Sequence, residues 1–371
     1  MDPQAQFCHN PDCPARGLVG QGNIRIQCRK QRRYRCATCN KTFAATRGTP
    51  FYRLETPPET VTTVTTLLCH GCPMQAIVAA FGFDERTVTR WQERAGQHCR
   101  DLQEHRVQCG RVDLQHVQAD ELSVKMVGQR VWMAMAMAVP SRLWLGGVIS
   151  PRRDSALIAA LVQRVRSCAV SLAILVCVDG LASYVSAFVS VFRHPVRTGR
   201  SGRPRLEEES GLLIGQVVKH RSQRSVVGVT RRVVRGTAGA IAAVLLATGT
   251  GTMINTAYIE RLNATFRAAS TPLTRRGRAI ARTETTLEAG MFLVGCAYNF
   301  CWEHESLRQA AGEGAGRKWQ ERTPAMAAGL TDHRWTMREL LSYQVPLSPR
   351  VAPKRRGRPP KQDQPEMPAA A

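Results

Sequence analysis

Acidic residues are the scarce charge in this 371-residue chain: 28 Asp and Glu stand against 52 Lys and Arg, for a net charge of +24. Lysine is scarce as well, since seven of the 52 bases are Lys and the other 45 are Arg. A field of that sign disfavours cationic partners and favours a polyanion, nucleic acid first, because guanidinium grips phosphate in bidentate fashion. Long apolar runs are missing. The longest, CAVSLAILVCV (168–178), is too short to cross a bilayer. The first residues, MDPQAQFCHN, lack the apolar core of a secretory signal. These two absences predict a soluble, cytoplasmic chain with no membrane partner. No internal repeat is found. The odd count of 13 cysteines rules out a complete disulfide framework and points to metal binding at the clustered ones, with buried thiols elsewhere.

The clustered cysteines come first. Cys8 and Cys13 (C-x4-C) and Cys36 and Cys39 (C-x2-C) flank a basic, strand-like stretch. Two such knuckles suit tetrahedral Zn²⁺, and the ion would supply folding energy that a segment so poor in aliphatics lacks. Cys28 has no partner at knuckle spacing, and His9 is the weaker substitute ligand. Cys69 and Cys72 form another C-x2-C without a second pair, which predicts a helix end with buried thiols. Directly after these, MQAIVAAFGFDERTVTRWQERAG (74–96) divides into a helix, a turn at Gly82 and a second helix capped by Asp84. Ala79 is small where the two helices are expected to cross, and Val88 and Trp91 fall on the inner face. Arg86, Thr87, Thr89 and Arg90, with Glu85, are left outside, where a recognition helix meets base edges in duplex DNA.

Against the scarcity of acids, three carboxylates stand out. Asp120 lies in the strand-like VDLQHVQADELSV (112–124), and Asp179 closes the apolar run SLAILVCVDG (171–180). Glu260 lies in the helix-like NTAYIERLNATFR (255–267), where Ile259, Leu262 and Phe266 make a core stripe and Glu260, Asn263 and Arg267 share the adjacent face. Two acids on strands and a third on a later helix is how a ribonuclease-H-like fold gathers ligands for two Mg²⁺ ions, with Mn²⁺ the alternative. Glu121 is a rival to Asp120. Strand alternation sends the neighbours to different faces, so one of the two is expected to be a ligand. No Ser or Tyr nucleophile motif competes with this metal reading.

The surrounding elements predict a mixed sheet: VWMAMAMAV (131–139) and LWLGGVI (143–149) form a hairpin, and DSALIAALVQRVRS (154–167) a helix capped by Asp154. The expected organisation is multidomain: a zinc ribbon over 1–50, a helix-turn-helix domain over 57–108, and an α/β ribonuclease-H-like catalytic domain over 110–310. A basic β segment at about 193–252, with two strands joined at Ser222–Ser225, interrupts the last of these. A C-terminal extension follows at 311–345, then a disordered tail at 346–371. In that tail KRRGRPPK (354–361) has the R-G-R-P core of an AT-hook, with Arg356 and Arg358 set for a narrow minor groove. LTRRGRAIAR (273–282) places Arg275 and Arg276 where they could clamp DNA backbone.

Taken in order, the ribbon ending RYRCATCNKTF (33–43), the helix-turn-helix, the ADE and VDG strands and NTAYIERLNATFR resemble bacterial transposases of the insertion-sequence-one type, which are DDE enzymes. The resemblance covers residues 7–343. It implies Cys8, Cys13, Cys36 and Cys39 as zinc ligands and Asp120, Asp179 and Glu260 as catalytic acids. It further implies cleavage at inverted-repeat ends and strand transfer into target double-stranded DNA, with at least a homodimer to bring two ends together. A non-catalytic DNA-binding protein, either a repressor or a domesticated element, is the rival reading. A junction nuclease on the same fold is another.

Overall fold

A computed structural model describes residues 1–197, 203–223, 225–274, 280–312, 316 and 318–348. One compact unit contains residues 1–45 and another spans 46–345.

In the first unit, β1 (Ile24–Cys28), β2 (Arg33–Cys36) and β3 (Thr42–Ala44) form an antiparallel meander. Ile24, Tyr34 and Phe43 alternate inward with the cysteines and make nearly all of its core. Arg32 and Asn40 turn the chain with positive φ (50° and 55°).

The second unit is mixed α/β. Helices α1 (Pro58–Cys69), α2 (Met74–Phe81) and α3 (Glu85–Arg106) precede a meander of β4 (His116–Met126), β5 (Gln129–Ala138) and β6 (Leu143–Ser150). Then follow α4 (Ser155–Cys168), β7 (Leu175–Asp179) and α5 (Ala182–Val191). Asp154 caps α4 through the Leu157 N–H (3.0 Å), as its sequence position predicts. The next strands are β8 (Arg193–Val196), β9 (Arg205–Glu208), β10 (Leu213–Ser222) and β11 (Ser225–Arg235). Helices α6 (Ala238–Ala247), α7 (Ala257–Ala269) and α8 (Glu284–Cys296) close the described core, with one π-helical turn over Ala297–Cys301.

The central sheet runs β11-β10-β7-β4-β5-β6. β7 is parallel to both β4 and β10, and the remaining pairs are antiparallel. Residues of both parities are buried along β4 and β5, so both faces of the sheet are covered.

Three expectations change. Residues 193–252 do not simply interrupt the sheet: Leu213–Val217 of β10 pair in parallel with Leu175–Asp179, so the hairpin extends it. The turn itself falls at Ser222–Ser225, as the pattern predicts. Residues 57–108 do not form a unit apart from the sheet, because Val88, Trp91, Ala95, Cys99 and Leu102 of α3 belong to the same continuous core. Finally, Ala79 is exposed and is not the point of close helix crossing. That role falls to Gly96 of α3, where a Cβ would come within 2.4 Å of Ala289 Cα on α8. The helical period flagged a small residue in the wrong helix, because the tightest contact is made with a partner nearly 200 residues away.

Among the described residues no helix is long and apolar enough to cross a membrane.

Candidate metal centres and the carboxylate cavity

The four knuckle cysteines converge: Cys8, Cys13, Cys36 and Cys39 place their sulfurs within 4.8 Å of one another. Cys8 and Cys39 are 3.6 Å apart, and Cys13 and Cys36 are 3.9 Å apart. The Asn10 N–H points at Cys8 Sγ (3.5 Å) and Asn23 Nδ2 at Cys36 Sγ (3.6 Å), so amide dipoles favour negative sulfur. Burial pushes the Cys8 and Cys13 thiols up. At Cys39 burial acts the same way. There the Lys41 backbone N–H, the Asn10 amide and the neighbouring thiols outweigh it and hold the group at about 7. This set could hold one soft metal ion. Cys28 stays outside it, as its spacing predicts, and His9 packs its ring against Phe7 and Phe43 instead of joining the sulfurs.

The acids converge as well. Asp120 from β4, Asp179 from the end of β7 and Glu260 from the first turn of α7 line one open cavity of about 920 Å³. Their placement has a local cause. Gln118, fully buried on β4, accepts hydrogen bonds from the Tyr258 and Ile259 N–H groups (3.1 and 3.0 Å) and donates to the Asn255 carbonyl (2.7 Å). It therefore caps α7 from the neighbouring strand, two residues before Asp120, and Thr256 makes no side-chain cap of its own. Asp179 is fixed by its own turn, with Oδ1 accepting from Leu181 N (3.0 Å), while its carbonyl accepts from Gln216 Nε2 (3.1 Å). Asn263 Nδ2 donates to Asp120 Oδ2 at 2.7 Å. Glu260 Oε1 is held by Lys219 Nζ (2.5 Å) and Thr256 Oγ1 (2.7 Å).

Glu121 behaves differently from the expectation of one ligand in the adjacent pair. Carboxylate oxygens of Asp120, Glu121 and Asp179 all lie within 4.8 Å of one another. Glu121, however, is buried and committed: Oε2 accepts from Tyr184 OH (2.8 Å), and Oε1 from Arg153, whose guanidinium also reaches Asp179 at 3.6 Å. Glu121 does not line the cavity, whereas Asp120 does. Burial, the nearby Glu121 and then Asp179 and Glu260 push the Asp120 carboxyl up to about 7. Like charges packed this closely disfavour the ionised form unless a cation joins them, so the oxygens of Asp120, Glu121 and Asp179 could hold a metal ion, whereas Glu260 lines the cavity without belonging to that close set.

The expected DNA-facing residues divide. Arg267 lines the cavity beside the acids. Asn263 is 2% exposed and is committed to Asp120, so the expectation that it faces DNA gives way to a role in orienting that carboxylate. On α3, Asp84 caps through Arg86 N (2.8 Å). Arg86 and Arg90 are exposed, while Thr87 and Thr89 are half-buried. Arg86, Thr89 and Arg90 line a second cavity, also bounded by Thr271, Pro272 and Arg282. Glu85 is drawn into a bond with Gln75 (2.9 Å) and an ion pair with Arg282 (3.3 Å). Arg275, Arg276, Arg356 and Arg358 lie outside the described residues.

The sequence reading did not single out Gln118, Arg153, Tyr184, Thr256 or Lys219. The available signal at Gln118 was its place between Val117 and Ala119 on a buried strand, where a polar side chain must find partners. No protein-family model matches the chain, and no curated protein matches it.

Proposed function

We propose that the chain is a DNA transposase of the DDE type that binds the inverted-repeat ends of its element, cuts them and joins the 3′ ends to target DNA. The observation that carries this reading is the convergence of Asp120, Asp179 and Glu260 on one cavity from two parallel neighbouring strands and a later helix. The strand order supports it. A three-strand meander followed by two parallel strands, β6-β5-β4-β7-β10, is the order of a ribonuclease-H-like sheet.

In this reading Asp120, Asp179 and Glu260 hold two Mg²⁺ ions (or Mn²⁺), and the sulfurs of Cys8, Cys13, Cys36 and Cys39 hold a structural Zn²⁺. When bound, the Mg²⁺ pair activates a water or a 3′-hydroxyl and stabilises the leaving oxygen of an in-line displacement. The protein's own groups set the stage for that chemistry. Asn263 fixes Asp120, Arg153 anchors Glu121 beside Asp179, and Thr256 orients Glu260. Lys219 pairs with Glu260, and its ammonium would be free to turn to a phosphate were Glu260 to hold a divalent cation. Arg86 and Arg90 on α3 face outward to duplex DNA, and two copies of the chain bring two element ends together.

The test is strand transfer. Purified protein and Mg²⁺ are incubated with a labelled DNA end taken from the sequence flanking its gene, together with a supercoiled plasmid. Label should join the plasmid with the wild-type chain and not with Asp179→Asn. Binding of the end by both proteins, with neither cutting nor joining, would favour a non-catalytic DNA-binding protein. Cutting without joining would favour a nuclease.

A further inference from the structure

Helix α7 has a second working face. Glu260, Asn263, Ala264 and Arg267 open to the carboxylate cavity, whereas Tyr258, Arg261 and Thr265 open to a separate cavity of about 500 Å³. Glu260 and Arg261 are thus neighbours on the chain that serve opposite pockets. The second pocket is also lined by Arg142 from the turn between β5 and β6, by Tyr298 and by His304, and no Asp or Glu lines it. The exposed Arg261 and half-buried Arg142 guanidiniums brought together at a partly open pocket make an arrangement that an anion stabilises.

The neighbouring acids do not neutralise it. Glu303 is paired with Arg334, and Glu305 with Arg308 (3.3 Å). Arg142 is held with a positive φ of 59°, unusual for a residue with a side chain, and its guanidinium sits 4.1 Å over the Tyr258 ring. Burial, together with Arg261, pulls its pKa down, and His304 is pulled down by burial and by Arg142 and Arg261. The groups therefore feel one another as like charges. A more open cavity of about 610 Å³ shares Arg261, His304 and Ser306 with this pocket and adds Arg308, Trp319 and one acid, Glu305, which is the partner of Arg308. Trp319 is 39% exposed, and Arg308 lies 4.6 Å over its ring. An exposed indole beside guanidinium groups is a platform on which a nucleobase can stack.

We propose that this pocket, centred on Arg142, Arg261 and His304, binds backbone phosphates of a DNA strand, with Trp319 stacking on an adjoining base. The choice of DNA over a free phosphate ester rests on the transposase reading and on the two cavities being contiguous, which gives room for more than one phosphate. A strand whose reacting phosphate lies at the carboxylates could then hold flanking phosphates across α7.

The test uses the full chain with Asp179→Asn, without added Mg²⁺, so that it reads binding and not turnover. Inorganic pyrophosphate is titrated calorimetrically, and a duplex oligonucleotide substituted with 5-bromodeoxyuridine is photo-crosslinked and mapped by mass spectrometry. Saturable pyrophosphate binding should weaken by at least roughly tenfold in Arg261→Gln, because a charge-assisted contact is lost. It should survive in Arg261→Lys. Arg261 is exposed and its replacement should fold, which makes it the probe of choice over Arg142 with its unusual backbone angle. Crosslinks should map to Trp319 or Tyr258 and fade in Arg261→Gln. Equal pyrophosphate affinity in wild type and Arg261→Gln overturns the pocket. Pyrophosphate binding with crosslinks confined to other regions overturns the DNA assignment. Failure of strand transfer alone overturns the catalytic reading while leaving these binding results standing.

Discussion

The cysteine cluster and the carboxylate cluster solve the same problem, gathering metal-ligating atoms, in opposite ways. Cys8, Cys13, Cys36 and Cys39 lie in one short segment whose core is little more than Ile24, Tyr34 and Phe43. Asp120, Asp179 and Glu260 come from distant parts of the chain and rest on a large continuous core shared by α3, the sheet, α7 and α8. In the first region the candidate ligands are close in sequence and the small core leaves the fold dependent on any ion they hold. In the second the fold rests on its own core, and a bound cation would relieve an electrostatic cost. Metal dependence of structure should therefore separate cleanly between the two.

Removing the soft ion is the strongest way to break that comparison. Chelation, or Cys36→Ser, should unfold residues 1–45, since structural Zn²⁺ contributes on the order of 10 kcal/mol to such modules. Residues 46–345 should keep their thermal transition, read by calorimetry with limited proteolysis. A common loss of both transitions would contradict the contrast. Next in size is Gln118→Ala, which strips the cap from α7 and orphans the Tyr258 and Ile259 N–H groups. It should cost about 3 kcal/mol in denaturant unfolding of the larger unit. An effect near zero would mean that α7 is held by packing alone.

Asp120→Asn probes the electrostatic cost directly. A carboxyl raised to about 7 in the fold binds its proton more tightly than in the unfolded chain. Stability is then full below the ordinary carboxylate value and falls as pH rises towards 7. Without Mg²⁺, the amide should stabilise the larger unit by about 2 kcal/mol at pH 8 and change little at pH 4. With Mg²⁺, wild type should recover the difference. The smallest expected effect is Cys28→Ser. It should shift the stability of residues 1–45 by less than about 0.5 kcal/mol and leave the metal stoichiometry unchanged. A lost ion would mean that the ligand set is misassigned.

The contrast also explains what was legible in the residues alone. The cysteine set could be read from spacing because its partners are local. Asp179 could be read because an apolar strand ending in Asp-Gly presents its acid at the strand edge. Glu260 could be read from the 3.6-residue stripe of Ile259, Leu262 and Phe266. The supporting contacts were not legible. Gln118 meets α7 about 140 residues later, and Lys219 reaches Glu260 across 41 positions. Such pairings depend on which strands become neighbours, and local periodicity carries no record of that. The parallel pairing of β10 with β7 was missed for the same reason: the short Val217-Val218 pair followed by Lys219, His220 and Arg221 resembles one arm of a solvated hairpin until the sheet edge is known.

Strand β11 carries one further consequence. It forms an edge of the central sheet, and it is long and exposed on both faces, with Val226, Val227, Val229, Val233 and Val234 all open to solvent. Edges of that kind invite sheet-to-sheet stacking between molecules. Arg231 and Arg232 along the same strand make each edge repel its copy, whereas Arg235 is already paired with Glu208. Colloidal stability of the protein then depends on ionic strength in an unusual direction. Added salt, which shortens the reach of that repulsion to a few ångströms, should bring the valine-rich edges together, whereas dilute buffer should keep the chains dispersed.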